Sequence, residues 1–388
     1  MIYLDNNATT AIDPEIRETM MPWLLENYGN PSAGYRFGKL SRKAIETARE
    51  QVAALIDAQP DEIVFTSCGT ESNNTAIQSA INLRPDCKTL LCSNVEHSAV
   101  LEVMQHFETR GYAHRLNPVD SSGALDLEAW GENVAADDLA IASLIWANNE
   151  TGVISPIGKA AELAAEHGVF FHTDAVQAVG KIPMSVQNLP VHSLSMSAHK
   201  IYGPKGVGAL FVSRDVRFQP LFFGGGQERE RRSGTENVAG IVGFGKAAEL
   251  AKSRLDEAES IAAKRDTFEE GVIAEIEGTE INGDPSLRLP NTSNLYFPGV
   301  DGEGLLILLD EADVCCSPGS ACSTGAVKPS RIVKAMGHSS ERARSSVRFS
   351  LSRNTTMAEI RDAIAAIKTA VKKLRVTMPS GGRVVINS

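Results

Sequence analysis

The sequence predicts an α/β protein in which a mainly parallel sheet is covered by helices, followed by a smaller α/β unit. Two observations carry the first half of that statement. Apolar strand-like runs alternate with helical periodicity through the middle of the chain, and an amphipathic stripe precedes them. A third, a change of pattern near residue 250, carries the second half.

From Ser41 to Ile56, the apolar side chains Ile45, Ala48, Val52, Leu55 and Ile56 fall on one side, as in a helix packed on a sheet. Ile63-Val64-Phe65-Thr66 reads as a strand leading into a helix that opens at Ser67-Cys68-Gly69-Thr70. Residues 141–146 form an apolar strand run, 160–166 a helix and 169–172 another strand. The stretch Ser193 to Ser197 alternates polar and apolar residues, 207–212 reads as the next strand, and Gly203-Pro204-Lys205-Gly206 between them is turn chemistry. Residues 247–277 read as one long charged helix, with a domain boundary thereabouts. Beyond it, 291–296 and 345–351 are strands. Thr356-Met357-Ala358-Glu359 is a capping box opening a helix with Ile360, Ala363, Ile364, Ile367 and Val371 on one face. The tail at 379–382 reads as flexible.

The composition narrows the function. With 388 residues, 43% of them hydrophobic and 22% charged, the chain is long enough for a main domain plus a smaller one. A net charge of −10 argues against nucleic-acid binding, which needs a basic surface. No run approaches the roughly 20 apolar residues of a membrane span. The chain opens without a leader-like pattern, so a cytoplasmic location is the expectation. Six cysteines, at 68, 87, 92, 315, 316 and 322, show neither a disulfide framework nor a CxxC pair, and no metal site is expected.

Lys200 lies in Ser197-Ala198-His199-Lys200-Ile201-Tyr202-Gly203, at a strand end, and Asp174 lies at the carboxyl end of another predicted strand, where open parallel sheets place ligands. A lysine held rigidly beside a phosphate site, with a carboxylate to face a pyridinium nitrogen, suits pyridoxal phosphate. Gly69 and Thr70 at a helix N-terminus offer N–H groups and a hydroxyl to an anion, although a capped helix start with no ligand reads the same way. Gln177 lies within reach of a phenolic oxygen. His97 can stack on a ring, or be an ordinary core histidine. Cys322 sits in a run of small residues, Gly319-Ser320-Ala321-Cys322-Ser323, which reads as a mobile exposed loop carrying a nucleophile, whereas Cys92 beside Leu90 and Leu91 reads as buried and structural.

Together these residues resemble the NifS/IscS-type cysteine desulfurases, a branch of the class V aminotransferase-like enzymes of pyridoxal phosphate fold-type I. The likeness runs from Tyr3-Leu4-Asp5-Asn6-Asn7 through Gly29-Asn30-Pro31-Ser32, Cys68-Gly69-Thr70-Glu71, Asn148-Asn149-Glu150-Thr151-Gly152 and Arg232-Ser233-Gly234-Thr235-Glu236-Asn237 to Gly319-Ser320-Ala321-Cys322 and Ser346-Val347-Arg348-Phe349-Ser350. The resemblance implies a seven-stranded, mainly parallel sheet in a large cofactor domain over 15–255. It also implies a small domain, 1–14 with 256–388, carrying the catalytic cysteine loop.

The resemblance further implies roles. Lys200 would form the Schiff base with the cofactor, Asp174 pair its ring nitrogen, Gln177 contact its phenolic oxygen and His97 stack on the ring. Thr70, Ser197 and His199 would bind its phosphate, joined by Thr235 from the partner of a homodimer. Arg348, aided by Asn149, would hold the carboxylate of L-cysteine, a task suited to a planar guanidinium fork. Lys200 would remove the α-proton, and the Cys322 thiolate would take the sulfur, leaving L-alanine and a persulfide for an acceptor protein such as an iron–sulfur cluster scaffold. Two departures stand out: Tyr35 where relatives carry His, and Cys68 where the phosphate loop commonly has Gly. Cys68 reads as packing. The competing readings are a selenocysteine lyase, another class V aminotransferase-like enzyme, and a catalytically silent adaptor.

Overall fold

The computed structural model describes residues 1–318 and 329–377. Its larger sheet has seven strands in the spatial order Ile63–Thr66, Gly208–Val212, Ser193–Ser197, Phe171–Asp174, Leu139–Ile145, Thr89–Ser93, Ala113–Asn117. Only Gly208–Val212 runs against the rest, pairing antiparallel with both of its neighbours. The expected mainly parallel sheet is therefore present. Every residue of the central strands Leu139–Ile145 and Ser193–Ser197 is buried, as a sheet covered on two sides requires.

The sheet's core includes the fully buried Trp130, Phe171 and Phe244. Each such side chain contributes roughly 1.5–3 kcal/mol on burial. The amphipathic stripe belongs to the helix Arg36–Leu55, which packs on Val238–Ser253. Gly245 makes that approach close, since a Cβ there would lie 2.5 Å from the Ala48 Cα.

A second core gathers Leu4 with Phe268, Val272, Leu295, Val347, Phe349 and Ile360. Around it stand a four-stranded antiparallel sheet, in the order Ser317–Pro318, Ser346–Ser350, Thr292–Tyr296, Glu280–Ile281, and the helices Glu257–Glu275, Gly302–Glu311 and Met357–Thr377. The capping box forms as expected: the Thr356 N–H donates to the Glu359 carboxylate at 2.8 Å, and the Glu359 N–H to Thr356 Oγ1 at 3.2 Å.

One expectation is corrected. Residues 247–277 are not a single helix; Val238–Ser253 ends, and Glu257–Glu275 begins after a turn. Ala247, Ala248 and Ala251 face the larger core, whereas Phe268 and Val272 face the smaller one, so the turn redirects the chain from one to the other. Arg254 fixes the break by pairing with Asp13 at 3.1 Å and Glu15 at 2.7 Å. Among the described residues no helix is long and apolar enough to cross a membrane.

Candidate active site

A cavity of about 430 Å3 opens at the carboxyl ends of the parallel strands. Several of its lining residues lie at or just beyond strand ends, because the sheet register brings together chain segments far apart in sequence. Asp174 is the last residue of its strand, Ser197 ends the next, and Lys200 closes the short 3-10 turn that follows. Gly69 and Thr70, at the start of the helix Gly69–Leu83, line the cavity as well. A Cβ on Gly69 would meet Val176 Cγ2 at 2.7 Å, so a side chain there would have to push Val176 aside. Cys68 caps the same helix, its Sγ accepting from the Glu71 N–H at 3.5 Å, which is the structural role read for it.

Asp174 is 4% exposed and held at both oxygens. Asn73 Nδ2 donates to its Oδ2 at 2.7 Å, and the Val176 N–H to its Oδ1 at 3.0 Å. A carboxylate so clamped presents a fixed negative edge to a ring nitrogen. His97 borders the cavity, and its Nδ1 accepts from the Ala99 N–H at 3.1 Å, so the ring proton belongs on Nε2. Desolvation lowers its pKa, and the charges of Lys200, Arg331 and Arg348 act in the same direction.

Lys200 Nζ donates to the backbone carbonyls of Asn7 at 2.6 Å and Ala8 at 2.7 Å. Burial, reinforced by Arg348, brings its pKa down to about 8. His199 Nδ1 lies 3.1 Å from Thr9 Oγ1, and burial followed by the neighbouring lysines takes its pKa to about 4. Gln177 Nε2 donates to the Asn7 carbonyl at 2.9 Å. Arg348 comes from the smaller sheet: its Nη2 reaches Asp5 Oδ1 at 2.7 Å and its Nη1 the Asn149 carbonyl at 3.0 Å.

Three buried polar atoms on residues lining this cavity have no partner among the described residues: Ser197 Oγ and Arg348 Nε, which can donate, and Asn73 Oδ1, which accepts. Leaving such atoms unpaired costs about 1–3 kcal/mol each, so the two donors point to anionic groups they would meet in a complex. The donor set suits pyridoxal phosphate together with a carboxylate. A helix N-terminus and a free hydroxyl stand ready for phosphate, a clamped carboxylate for a pyridinium, and a partly neutral amine for covalent attachment.

Ten of the predicted site residues line this cavity: Gly69, Thr70, His97, Asn149 and Asp174, and also Gln177, Ser197, His199, Lys200 and Arg348. Thr235 does not; it is exposed on the segment before the helix Val238–Ser253. Tyr35 does not either, lying exposed at the start of Arg36–Leu55. Cys322 lies outside the described residues, although Ser317 and Pro318, just before them, line the cavity. Cys92 is buried, and burial raises its thiol pKa, as the structural reading requires. Sequence reasoning passed over Asn73 and Asn7. Both lay inside quoted motifs, but nothing in a linear sequence tells which motif residue clamps another.

A family model for the class-V aminotransferases matches residues 2–362. The chain is 47% identical over 380 residues to a cysteine desulfurase of Nostoc sp., covering 98% of this chain and 95% of that one. It is 46% identical, again over 380 residues, to the cysteine desulfurase NifS of Azotobacter vinelandii, with 97% and 94% covered. Among solved structures it is similar to a NifS-like protein, with a TM-score of 0.90 and 35% identity over 96% of this chain and 99% of that one. It is also similar to SspA in complex with cysteine, with a TM-score of 0.82 and 32% identity over 92% and 100%.

Proposed function

Because this chain belongs to the class-V aminotransferase family and is a pyridoxal-phosphate-dependent cysteine desulfurase acting on L-cysteine, we propose how its own residues divide that work. Lys200 carries the cofactor covalently and moves the substrate α-proton; an amine with a pKa near 8 is partly neutral at physiological pH and can serve as a base. Asp174, clamped by Asn73, faces the ring nitrogen, with Gln177 at the phenolic oxygen and His97 over the ring. Gly69, Thr70, Ser197 and His199 hold the phosphate. Arg348 and Asn149 take the substrate carboxylate. When bound, the cofactor supplies an electron sink for the charge left on the α-carbon.

Cys322 takes the sulfur. The Cβ–S bond of L-cysteine breaks, its sulfur joins the Cys322 thiolate, and L-alanine leaves with the balancing proton, so no outside oxidant is needed. The observation that carries the reading is the convergence of Lys200, Asp174 and Arg348 on one cavity bordered by Ser317 and Pro318, the residues leading toward Cys322. Cys68 also lines the cavity, but its thiol is engaged as a helix cap.

We further propose a homodimer, in which Thr235 completes the phosphate site of the other copy. The absence of Thr235 from its own cavity supports this, as do the exposed Leu24, Leu25, Tyr28 and Phe223, an unusual set of large apolar side chains to leave in water. The two cores support a division into a large domain, 15–255, and a small one, 1–14 with 256–388. From Cys322 the sulfur passes to an acceptor protein of the iron–sulfur scaffold kind, in the cytoplasm.

Intact-protein mass after incubation with L-cysteine, without reductant, tests the assignment. Wild type and Cys322→Ser are compared, with Cys68→Ser as control. Added sulfur on wild type and Cys68→Ser but not on Cys322→Ser, with alanine in solution, is the expected result. Sulfur retained on Cys322→Ser would overturn it.

A further inference from the structure

Lys181 is a lysine with no place in the chemistry above. It stands four residues beyond Gln177, just after Gly180, and although the residue is partly exposed, its amine end is enclosed by protein. That amine makes two hydrogen bonds, to Gln177 Oε1 at 2.7 Å and to Asn7 Oδ1 at 3.0 Å.

The consequence lies in the carboxamide of Gln177. Its two ends have nearly the same shape and opposite hydrogen-bonding character. With Oε1 taken by Lys181, Nε2 is the end that faces the Asn7 carbonyl, to which it donates at 2.9 Å. A flipped amide would set its oxygen against the Asn7 carbonyl, two acceptors with no hydrogen between them, so it is excluded. Asn7 is fixed by the same hand. Its Oδ1 also accepts from Asn291 Nδ2 at 3.0 Å, its Nδ2 donates to Thr292 Oγ1 at 2.9 Å, and its carbonyl accepts from Lys200. One hydrogen of Gln177 Nε2 is used on Asn7; the second remains for the cavity.

We propose that Lys181 is a positioning residue for the desulfurase reaction, locking the Gln177 carboxamide so that its N–H edge, not its oxygen, meets the phenolic oxygen of the cofactor. This rests on the reading that Gln177 faces that oxygen. The charged groups acting on the amine are Lys200 and Arg348, both cations, and with burial as the largest cause they push its pKa well below the usual lysine range. In either charge state the amine has at least two N–H donors, enough for both acceptors.

The test reads the visible absorbance of the pyridoxal-phosphate-loaded protein against pH. An N–H donor at the phenolic oxygen favours its anionic form and lowers the midpoint of the absorbance change. Losing the donor raises that midpoint by about one pH unit, the scale of one hydrogen bond to a charged group. Lys181→Met and Gln177→Ala are each expected to raise it by this amount, and the double variant no further than Gln177→Ala alone. A Lys181→Met midpoint equal to wild type overturns the proposal. So does a Lys181→Met shift that persists in full in the Gln177→Ala background, because the lysine then acts by charge. An unshifted Gln177→Ala instead overturns the reading that Gln177 faces the phenolic oxygen, and the proposal with it. Lys181→Gln guards against misfolding of Lys181→Met, monitored by circular dichroism, since it keeps an N–H donor on an uncharged side chain. Its midpoint nearer wild type supports positioning, whereas a shift as large as that of Gln177→Ala overturns it.

Discussion

Lys200 Nζ donates to the carbonyl of Asn7 at 2.6 Å, joining residues 193 positions apart. The N-terminal segment that supplies this carbonyl also sends Leu4 into the smaller core and Asp5 to Arg348. The lysine is thus held by a strap running between the two cores.

That environment has a measurable consequence. Burial and Arg348 bring the Lys200 pKa to about 8, so the cofactor-free protein should expose a nucleophilic amine there at a pH where ordinary lysines are protonated. Competitive acylation followed by peptide mass spectrometry should give a labelling midpoint for Lys200 near pH 8. A midpoint above about 10, the ordinary lysine range, would contradict the assigned environment.

Asn73 predicts a loss without direct substrate contact. Its amide holds one oxygen of Asp174, and Asn73→Ala leaves that buried carboxylate with the Val176 N–H as its remaining bond. Hydrogen bonds to charged groups contribute about 1.5–3 kcal/mol, so kcat should fall roughly 10- to 100-fold. Steady-state alanine formation checks it, with cofactor affinity measured by fluorescence titration.

Arg348→Lys keeps the charge but removes the fork. Contacts to Asp5 and the Asn149 carbonyl use separate guanidinium nitrogens, a geometry that an ammonium cannot reproduce. The KM for L-cysteine should rise about tenfold or more, while cofactor affinity stays at the wild-type value. A lower kcat with unchanged KM would place Arg348 elsewhere in the reaction.

The pH dependence of stability has a calculable sign. Burial raises the Glu96 carboxyl from 4.5 to about 8 and the Glu150 carboxyl from 4.5 to about 7. Across the interval above 4.5 the folded chain keeps protons that the unfolded chain releases, so these groups make stability fall with rising pH until each titrates in the fold. Glu96→Gln should flatten the decline of the melting temperature between about pH 5 and about pH 8. Differential scanning fluorimetry across that range would show an unchanged slope if the carboxyl were already ionised in the fold.

The sequence made much of this legible because strand ends and helix starts carry the chemistry. Asp174, Lys200 and Gly69 sit at punctuation points that composition and periodicity reveal, and the capping box at Thr356 was readable for the same reason. Long-range polar partners were not. Asn7 touches residues near 150, 180, 200, 290 and 350, and only the closed fold puts them together. The break at 254–256 escaped because charge and periodicity continue through it, and what stops the helix is the need to serve two cores. Lys181 looked like any lysine after a glycine, since enclosure of an amine is a tertiary property.

The central claim is that the 430 Å3 cavity holds the cofactor through Lys200. Reducing the pyridoxal-phosphate-loaded protein with borohydride and mapping the peptides tests it directly, because reduction fixes the pyridoxyl group to whichever lysine carried it. The group should be found on the peptide containing Lys200 and be absent from those containing only Lys181 or Lys205. A modified Lys181 or Lys205, with Lys200 unmodified, would contradict the account.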